Sequence, residues 1–160
     1  MRVEYINPFI RSLDNAFMTM LGCEVSRGPI TLKSDTTPNY DISGIIGLSG
    51  NAIGTVVVSL SREVALKVAS TMLMCETTEI DADVVDAVGE LANVVAGAAK
   101  AELEEYHMNA SLPSVITGRN HVVRFPSNVT PICVPFTTKW GPLSLEVGFA
   151  PVREPVGSHD

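Results

Sequence analysis

An amphipathic helix followed by a pair of strand-like runs occurs twice in this sequence, once in each half. A helix buries one stripe of side chains and a sheet buries one face, so such elements are stable only as packed layers. The order therefore predicts an α+β fold, in which a sheet of paired hairpins packs against two long helices and a short one. The repeated order is also compatible with an internal duplication, although helix–hairpin order is common and does not establish one.

Capping and turn residues divide the chain into these elements. Asn7, placed just before a proline, predicts the N-cap of the first helix, and Gly22 predicts its end. Ser61 predicts the cap of a short helix, and Asp81 or Asp83 opens the longest helical pattern. The other predicted segments are a loop over residues 26–40, an end of the long helix at about residue 106, and extended runs at 42–48, 55–60, 114–117, 121–125, 132–137 and 143–149.

Length and composition fit one globular domain. The 160 residues fall within the roughly 100–200 that form a typical domain, and 46% hydrophobic against 18% charged residues excludes disorder as the main state. No apolar run approaches the roughly 18 residues of a membrane-spanning helix, and the N-terminus lacks the apolar core of a signal peptide. We therefore expect one cytoplasmic domain over residues 1–150 and a flexible tail over residues 151–160.

The charge balance limits the classes of partner. Eleven Lys and Arg residues against 18 Asp and Glu residues give a net charge of −7. Nucleic acids and anionic membranes are bound through clustered basic residues, so neither is expected as a partner. Cys23, Cys75 and Cys133 are widely spaced without a C-x-x-C pair, which predicts buried, reduced thiols. The three histidines lie apart from one another and from the cysteines, so no metal site is expected.

The longest helical pattern carries a narrow polar stripe. At about 100° per residue, five residues that follow Asp86 all fall within roughly 40° of it, namely Glu90, Asn93, Gly97, Lys100 and Glu104. The opposite, apolar side comprises Val84, Val88, Leu91, Val95, Ala99 and Tyr106. Gly is unfavourable inside a helix by about 1 kcal/mol relative to Ala, and Asn is also a poor helix former. Their presence favours a surface that another molecule approaches closely, and a solvated helix face is the alternative.

The residue types in the stripe restrict its chemistry. It holds carboxylates, one amide and a lysine, but no Ser, Cys or His nucleophile. An amide cannot act as a strong base at neutral pH, but it can orient a water molecule, as a glutamine does in GTPases. The sequence also lacks the phosphate-binding patterns G-x-x-x-x-G-K-[ST] and G-x-G-x-x-G. If this helix takes part in catalysis, it completes a site whose metal and phosphoryl group lie elsewhere.

At these residues the sequence resembles the CheC/CheX/FliY family of chemotaxis phosphatases, and its CheX branch most. The family motif is an acid or Ser, a Glu four residues later and an Asn three residues after that, and it is present as Asp86, Glu90 and Asn93. A lone E-x-x-N is a weak signal, but other segments in order also resemble the family. They are residues 3–9, 43–50, 89–100 and 112–118, spread over most of residues 3–150.

The resemblance implies that the protein removes the phosphoryl group from the aspartyl-phosphate of a CheY-like response regulator. The regulator would supply Mg²⁺, and the phosphatase would need no cofactor of its own. Glu90 would pair with the regulator's active-site lysine, Asn93 would hold the attacking water in line, and Asp86 would be a supporting residue. Gly97 and Lys100 are added from the helical stripe as partner contacts. The alternative is a non-catalytic module that docks on a receiver or a flagellar-switch component through the same helix.

The resemblance also bears on the number of sites and on assembly. A second Glu-x-x-Asn, Glu4 to Asn7, precedes Pro8, and helix capping explains Asn7 better. The first helix, where two-site members of the family carry another motif, reads RSLDN at residues 11–15 and gives no match. One site per chain is the CheX pattern, which further implies a homodimer joined through sheet edges.

Overall fold

The structure, a computed structural model, describes residues 3–34 and 38–152. In these ranges the helices are α1 (Asn7–Leu21), α2 (Arg62–Leu73) and α3 (Ala82–Glu102), with short 3-10 turns at Val3–Ile6 and Glu104–Tyr106. The strands are β1 (Ser26–Arg27), β2 (Thr31–Leu32), β3 (Ile42–Ser49), β4 (Ala52–Leu60), β5 (Asn109–Ala110), β6 (Ser114–Thr117), β7 (Ile132–Thr138) and β8 (Gly141–Pro151). None of the helices in the described ranges is long and apolar enough to cross a membrane.

The strands form one antiparallel sheet, in the order β1-β7-β8-β4-β3-β5, with β2 also paired to β7 and β6 to β3. The two hairpins, β3–β4 and β7–β8, meet at the centre, where all nine residues of β4 pair with β8 from Ala52–Pro151 to Leu60–Leu143. Gly54 is required in this pairing, because a Cβ there would lie 2.2 Å from the carbonyl oxygen of Gly148. The predicted α+β architecture of paired hairpins is confirmed.

The two halves of the chain have the same order of elements and exchange their edge strands. β1 and β2 follow α1 but pair with β7, whereas β5 and β6 follow α3 but pair with β3. Buried residues fall at equivalent positions on the two long helices, Phe9, Ser12, Leu13, Ala16 and Phe17 on α1 and Val88, Leu91, Ala92, Val95 and Ala96 on α3. The fold thus has the internal pseudo-symmetry of two helix–hairpin units.

Helices α1 and α3 lie side by side on one face of the sheet and bury the main core against it. The hydroxyl of Ser12 on α1 donates to the carbonyl oxygen of Val95 on α3 at 2.7 Å, which joins the two helices. A Cβ at Gly44 of β3 would lie 2.8 Å from the Cβ of Ala92. The glycine therefore sets how closely α3 approaches the sheet.

The opposite face of the sheet carries a buried ion pair. Lys33 binds Glu146 of β8, and their side chains are 1% and 3% exposed. The amide of Asn39 donates to the other Glu146 oxygen at 2.7 Å, and its own oxygen accepts from the backbone N–H of Val123 at 3.1 Å. Because a buried charge is costly unless it is paired and hydrogen-bonded, this network fixes the segments before β3 and before β7 over the sheet.

Several predicted boundaries need correction. Asn7 is not an N-cap: the chain is already helical at Ile6, the last residue of the preceding 3-10 turn, and no side chain of the described residues caps the helix. Pro8 has no N–H, so this end of the helix needs one capping partner fewer. Gly22 ends α1 as predicted, in the left-handed conformation at φ 60°. Residues 121–125 form no strand, because Val123 bonds to a side chain rather than to a sheet edge.

The long helix and the chain end also differ from prediction. α3 ends at Glu102 instead of about residue 106, and a 3-10 turn follows. Tyr106 packs instead against Tyr5 and Phe149, at ring-centroid distances of 5.7 and 5.8 Å. At the C-terminus, Pro151 still pairs with Ala52 of β4. Residues 153–160 of the predicted tail lie outside the described residues.

Candidate active site on the long helix

Helix α3 is held in place by an N-terminal cap and by the packing of its apolar face. The carboxylate of Asp81 accepts from the backbone N–H of Val84 at 3.0 Å, which makes Asp81 the N-cap. The predicted apolar face is buried through Val84, Val88, Leu91, Val95 and Ala99. Because this face packs against α1, α2 and the sheet, the polar stripe on the opposite side is held on a rigid support.

The structure brings the predicted site residues together on one exposed face. Asp86, Glu90 and Asn93 are exposed, whereas Gly97 and Lys100 are half-buried. At 1.5 Å per residue, the line from Asp86 to Lys100 is about 21 Å long. Within the described residues, the side chains of Asp86, Glu90, Asn93 and Lys100 form no hydrogen bond or ion pair, so their polar groups are free to meet another molecule.

Gly97 leaves an open position in the middle of the stripe. A Cβ at this residue would meet no atom within 4 Å, so nothing inside the described part of the protein requires a glycine there. An interior helix glycine without an internal reason lowers helix stability. The open space instead lets an outside surface reach the helix backbone.

The C-terminal end of the stripe differs from the sequence prediction. Glu104 lies in the 3-10 turn beyond α3, so the helical spacing that joined it to Asp86 no longer applies. Lys100 is in the last turn of α3 and lines a surface cavity of about 350 Å³ together with Ala101, Glu104, His107 and Met108. The stripe on the helix therefore ends at Lys100.

The first helix provides no second copy of the site. By the matching pattern of buried residues, Arg11 and Asp14 on α1 occupy the positions that Glu90 and Asn93 occupy on α3. Arg11 instead bonds to Glu102 at 2.7 Å on the surface. Asn7 is exposed and is not the helix cap, so helix capping does not explain the second Glu-x-x-Asn. The residue equivalent to Glu90 on α1 is nevertheless the basic Arg11, so α1 does not repeat the motif.

The three thiols differ in burial. Burial raises the pKa of the Cys23 thiol, and burial together with the nearby Glu146 carboxylate raises the pKa of Cys133. Cys75 is exposed, contrary to prediction, because it comes directly after the left-handed residue that ends α2. Within residues 3–34 and 38–152, no group of three or more His, Cys, Asp and Glu side chains is arranged to hold a metal ion.

The face holds carboxylates and an amide but no Ser, Cys or His nucleophile. In phosphoryl chemistry it could therefore only complete a site whose metal and phosphoryl group belong to another molecule. A family model described as "Chemotaxis phosphatase CheX" matches residues 42–137 of the chain. The CheY-P phosphatase CheX of Thermotoga maritima is 31% identical over 123 residues, which are 75% of this chain and 79% of that protein. The chain belongs to the CheX family of chemotaxis phosphatases.

Solved structures agree with the CheX assignment. A CheC-like superfamily protein from Shewanella sp. PV-4 matches with a TM-score of 0.86 and 34% identity, over 94% of this chain and 99% of that chain. A chain of the CheX–CheY–BeF₃–Mg²⁺ complex from Borrelia burgdorferi matches with a TM-score of 0.76 and 27% identity, over 96% of this chain and all of that chain. The CheX fold therefore spans both halves of this chain.

One stability prediction follows from the packing of α3. Gly97→Ala should raise the free energy of unfolding by about 0.5–1 kcal/mol, because the methyl group enters open space and Ala favours the helix. Gly44→Ala, the matched change beneath the same helix, should lower it by about 1–3 kcal/mol, because its methyl group would meet Ala92. Urea unfolding followed by circular dichroism measures both changes. A loss of stability in Gly97→Ala would contradict the assignment of open space.

Proposed function

We propose that this protein dephosphorylates the aspartyl-phosphate of a CheY-like response regulator, using the exposed face of α3. The observation that carries the proposal is the pair Glu90 and Asn93, exposed and unpaired within the described residues, on a helix of a CheX-family fold. The named CheY-P phosphatase of Thermotoga maritima and the CheX–CheY complex from Borrelia burgdorferi support CheY as the class of substrate. The receiver domain acts in the cytoplasm, so we place the phosphatase there as well.

Glu90 anchors the helix on the receiver. Its carboxylate pairs with the lysine of the receiver's active site, and no intramolecular ion pair within the described residues has to break first. Asp86, one turn earlier on the same face, supports this end of the contact. Gly97 admits the receiver surface close to the helix, and Lys100 contacts it at the far end of the stripe. The net charge of −7 contributes little to the encounter, because receiver active sites are acidic too.

Asn93 supplies the catalytic contribution. Its amide oxygen accepts a hydrogen bond from the attacking water and holds that water in line with the phosphoryl group. The water oxygen bonds to phosphorus as the bond from phosphorus to the aspartate oxygen breaks, which releases the free carboxylate and a dihydrogen phosphate that carries the two protons of the water. Such positioning lowers the barrier without any covalent role for the phosphatase. The receiver holds the Mg²⁺, and this chain needs no cofactor of its own.

The second candidate function uses the same helix without catalysis. A module that only docks on a receiver or a flagellar-switch component needs the complementary surface but no amide at its centre. Asn93 is a poor helix former in the middle of a 21-residue helix, and it forms no side-chain hydrogen bond in the described part of the chain. This placement favours the phosphatase.

The catalytic prediction concerns Asn93→Ala. We expect the acceleration of receiver dephosphorylation to fall by about 10²-fold, since a misplaced reacting water costs that much, with affinity for the receiver little changed. The decay of ³²P-labelled receiver measures it. Asn15→Ala is the matched control, because Asn15 is an exposed asparagine on α1. A wild-type protein that hastens the decay of no cognate receiver would refute the phosphatase proposal.

The docking prediction concerns Glu90→Lys. The new charge would face the receiver's lysine, so we expect the Kd for the receiver to rise at least tenfold. Fluorescence anisotropy with a BeF₃⁻- and Mg²⁺-loaded receiver measures it. Glu76→Lys makes the same change in net charge on an exposed residue between α2 and α3, and it should leave the Kd nearly unchanged. Equal Kd values for wild type and Glu90→Lys would remove Glu90 from the contact.

We also propose a homodimer joined through the sheet edge at β6. This strand has four residues, whereas β1, β2 and β5 have two each, and it is exposed except for Val115 and the partly covered Ile116. A longer outer strand has more backbone groups to offer a second sheet edge.

Ile116→Lys should convert such a dimer to monomers, because an edge lysine opposes strand pairing. Analytical ultracentrifugation measures the mass in solution. Leu32→Lys, on the opposite edge of the sheet, should leave the dimer intact. A wild-type protein that sediments as a monomer at micromolar concentrations would refute this proposal.

A further inference from the structure

Leu112 has an apolar side chain that is exposed to solvent at the edge of the sheet. It is 88% exposed and lies in the connection between β5 and β6. Single exposed leucines are common and by themselves carry no meaning. The position of this one is unusual because its neighbours in the chain are fixed and because it borders the face of α3 described above.

Ser111 fixes the connection on one side of Leu112. Its backbone N–H donates to the carbonyl oxygen of Gly47 at 2.8 Å, and its hydroxyl oxygen accepts from the N–H of Gly47 at 2.8 Å. The same hydroxyl donates to the carbonyl oxygen of Leu112 at 2.9 Å. Leu112 is thus presented from a hydrogen-bonded bulge between two paired strands, so its backbone is already ordered before a partner covers it.

Pro113 connects this bulge to the active-site helix. Its ring lies 3.4 Å from where a Cβ would stand on Gly89, and Val115 lies 3.5 Å from the same point. Gly89 immediately precedes Glu90, and at about 100° per residue it lies about 60° from Asp86 on the helix surface. The bulge therefore forms the rim of the exposed face beside the N-terminal half of the stripe.

We propose that Leu112 is a docking residue for the phosphorylated receiver, covered by an apolar patch at the rim of the receiver's phosphorylation site. The proposal rests on the proposed function and extends the contact surface from α3 to the neighbouring sheet edge. Within the described residues, the stripe itself provides acidic, amide and basic groups but no large apolar side chain. Leu112 supplies that group beside Pro113, whose ring packs on Gly89 of α3, as binding surfaces combine an apolar anchor with polar contacts.

A second copy of this chain is the competing occupant, because β6 begins two residues later. The bulge argues against it at Leu112 itself. Ser111 uses its hydrogen bonds on Gly47, and Pro113 has no N–H to offer another strand. Strand pairing with a second copy therefore starts after the bulge, which leaves Leu112 outside the paired segment.

The test compares Leu112→Ser with wild type in three measurements on the full-length protein. We expect KM for the phosphorylated receiver and Kd for the BeF₃⁻- and Mg²⁺-loaded receiver both to rise roughly tenfold, as loss of one buried leucine costs. The value of kcat should change less than twofold, because Asn93 is untouched. Leu112→Met should restore wild-type KM. Leu32→Ser, which removes a 71% exposed leucine at the other sheet edge, is the matched control and should have no effect.

The outcomes separate this proposal from the others. Unchanged KM and Kd in Leu112→Ser, with an active wild-type protein, would overturn the role of Leu112 and leave the phosphatase proposal standing. A shift of Leu112→Ser from dimer to monomer in analytical ultracentrifugation would assign Leu112 to the second copy instead. A wild-type protein that neither binds nor dephosphorylates the receiver would refute the proposed function itself.

Discussion

The antiparallel pairing of β4 with β8 is the constraint on which the rest of the structure depends. It joins the hairpin of the first half to the hairpin of the second half along the whole of β4. Since the edge strands of each half pair with the hairpin of the other half, neither half has a complete sheet alone. Both long helices must then share one face of the sheet, where α1 and α3 cover each other's apolar sides.

The position of α3, which carries the candidate site, follows from this arrangement. Gly44 lets α3 approach β3 closely, and Ser12 ties the middle of α3 to α1. With the apolar face of α3 fully used in packing, the face opposite it can remain polar and open. Such a face is sufficient for the proposed function, in which the receiver provides the phosphoryl group and the metal. This explains why a chain with only 18% charged residues can carry a hydrolytic function.

The sequence was most informative where one local signal determines one local structure. Gly22 predicted the end of α1 because few other residues adopt the left-handed conformation. Asp81 and Asp83 were the two candidates for the start of α3 because an aspartate carboxylate can cap free N–H groups, and Asp81 is the N-cap. It failed where a local signal competes with a neighbour. Asn7 is a good cap by type, yet the preceding turn is already helical, and residues 121–125 read as a strand but bond to Asn39.

The sequence alone predicted which residues make up the candidate site, because residues on one face of a helix recur at a fixed angular spacing about its axis. Asp86, Glu90 and Asn93 could therefore be placed together before any fold was known. Only the tertiary structure placed Pro113 against Gly89 of α3, beside that face, and paired Lys33 with Glu146 on the opposite face of the sheet. Such contacts join residues that are far apart in the chain, and no periodicity encodes them. They exist because strand pairing in the central sheet brings distant segments to the same place.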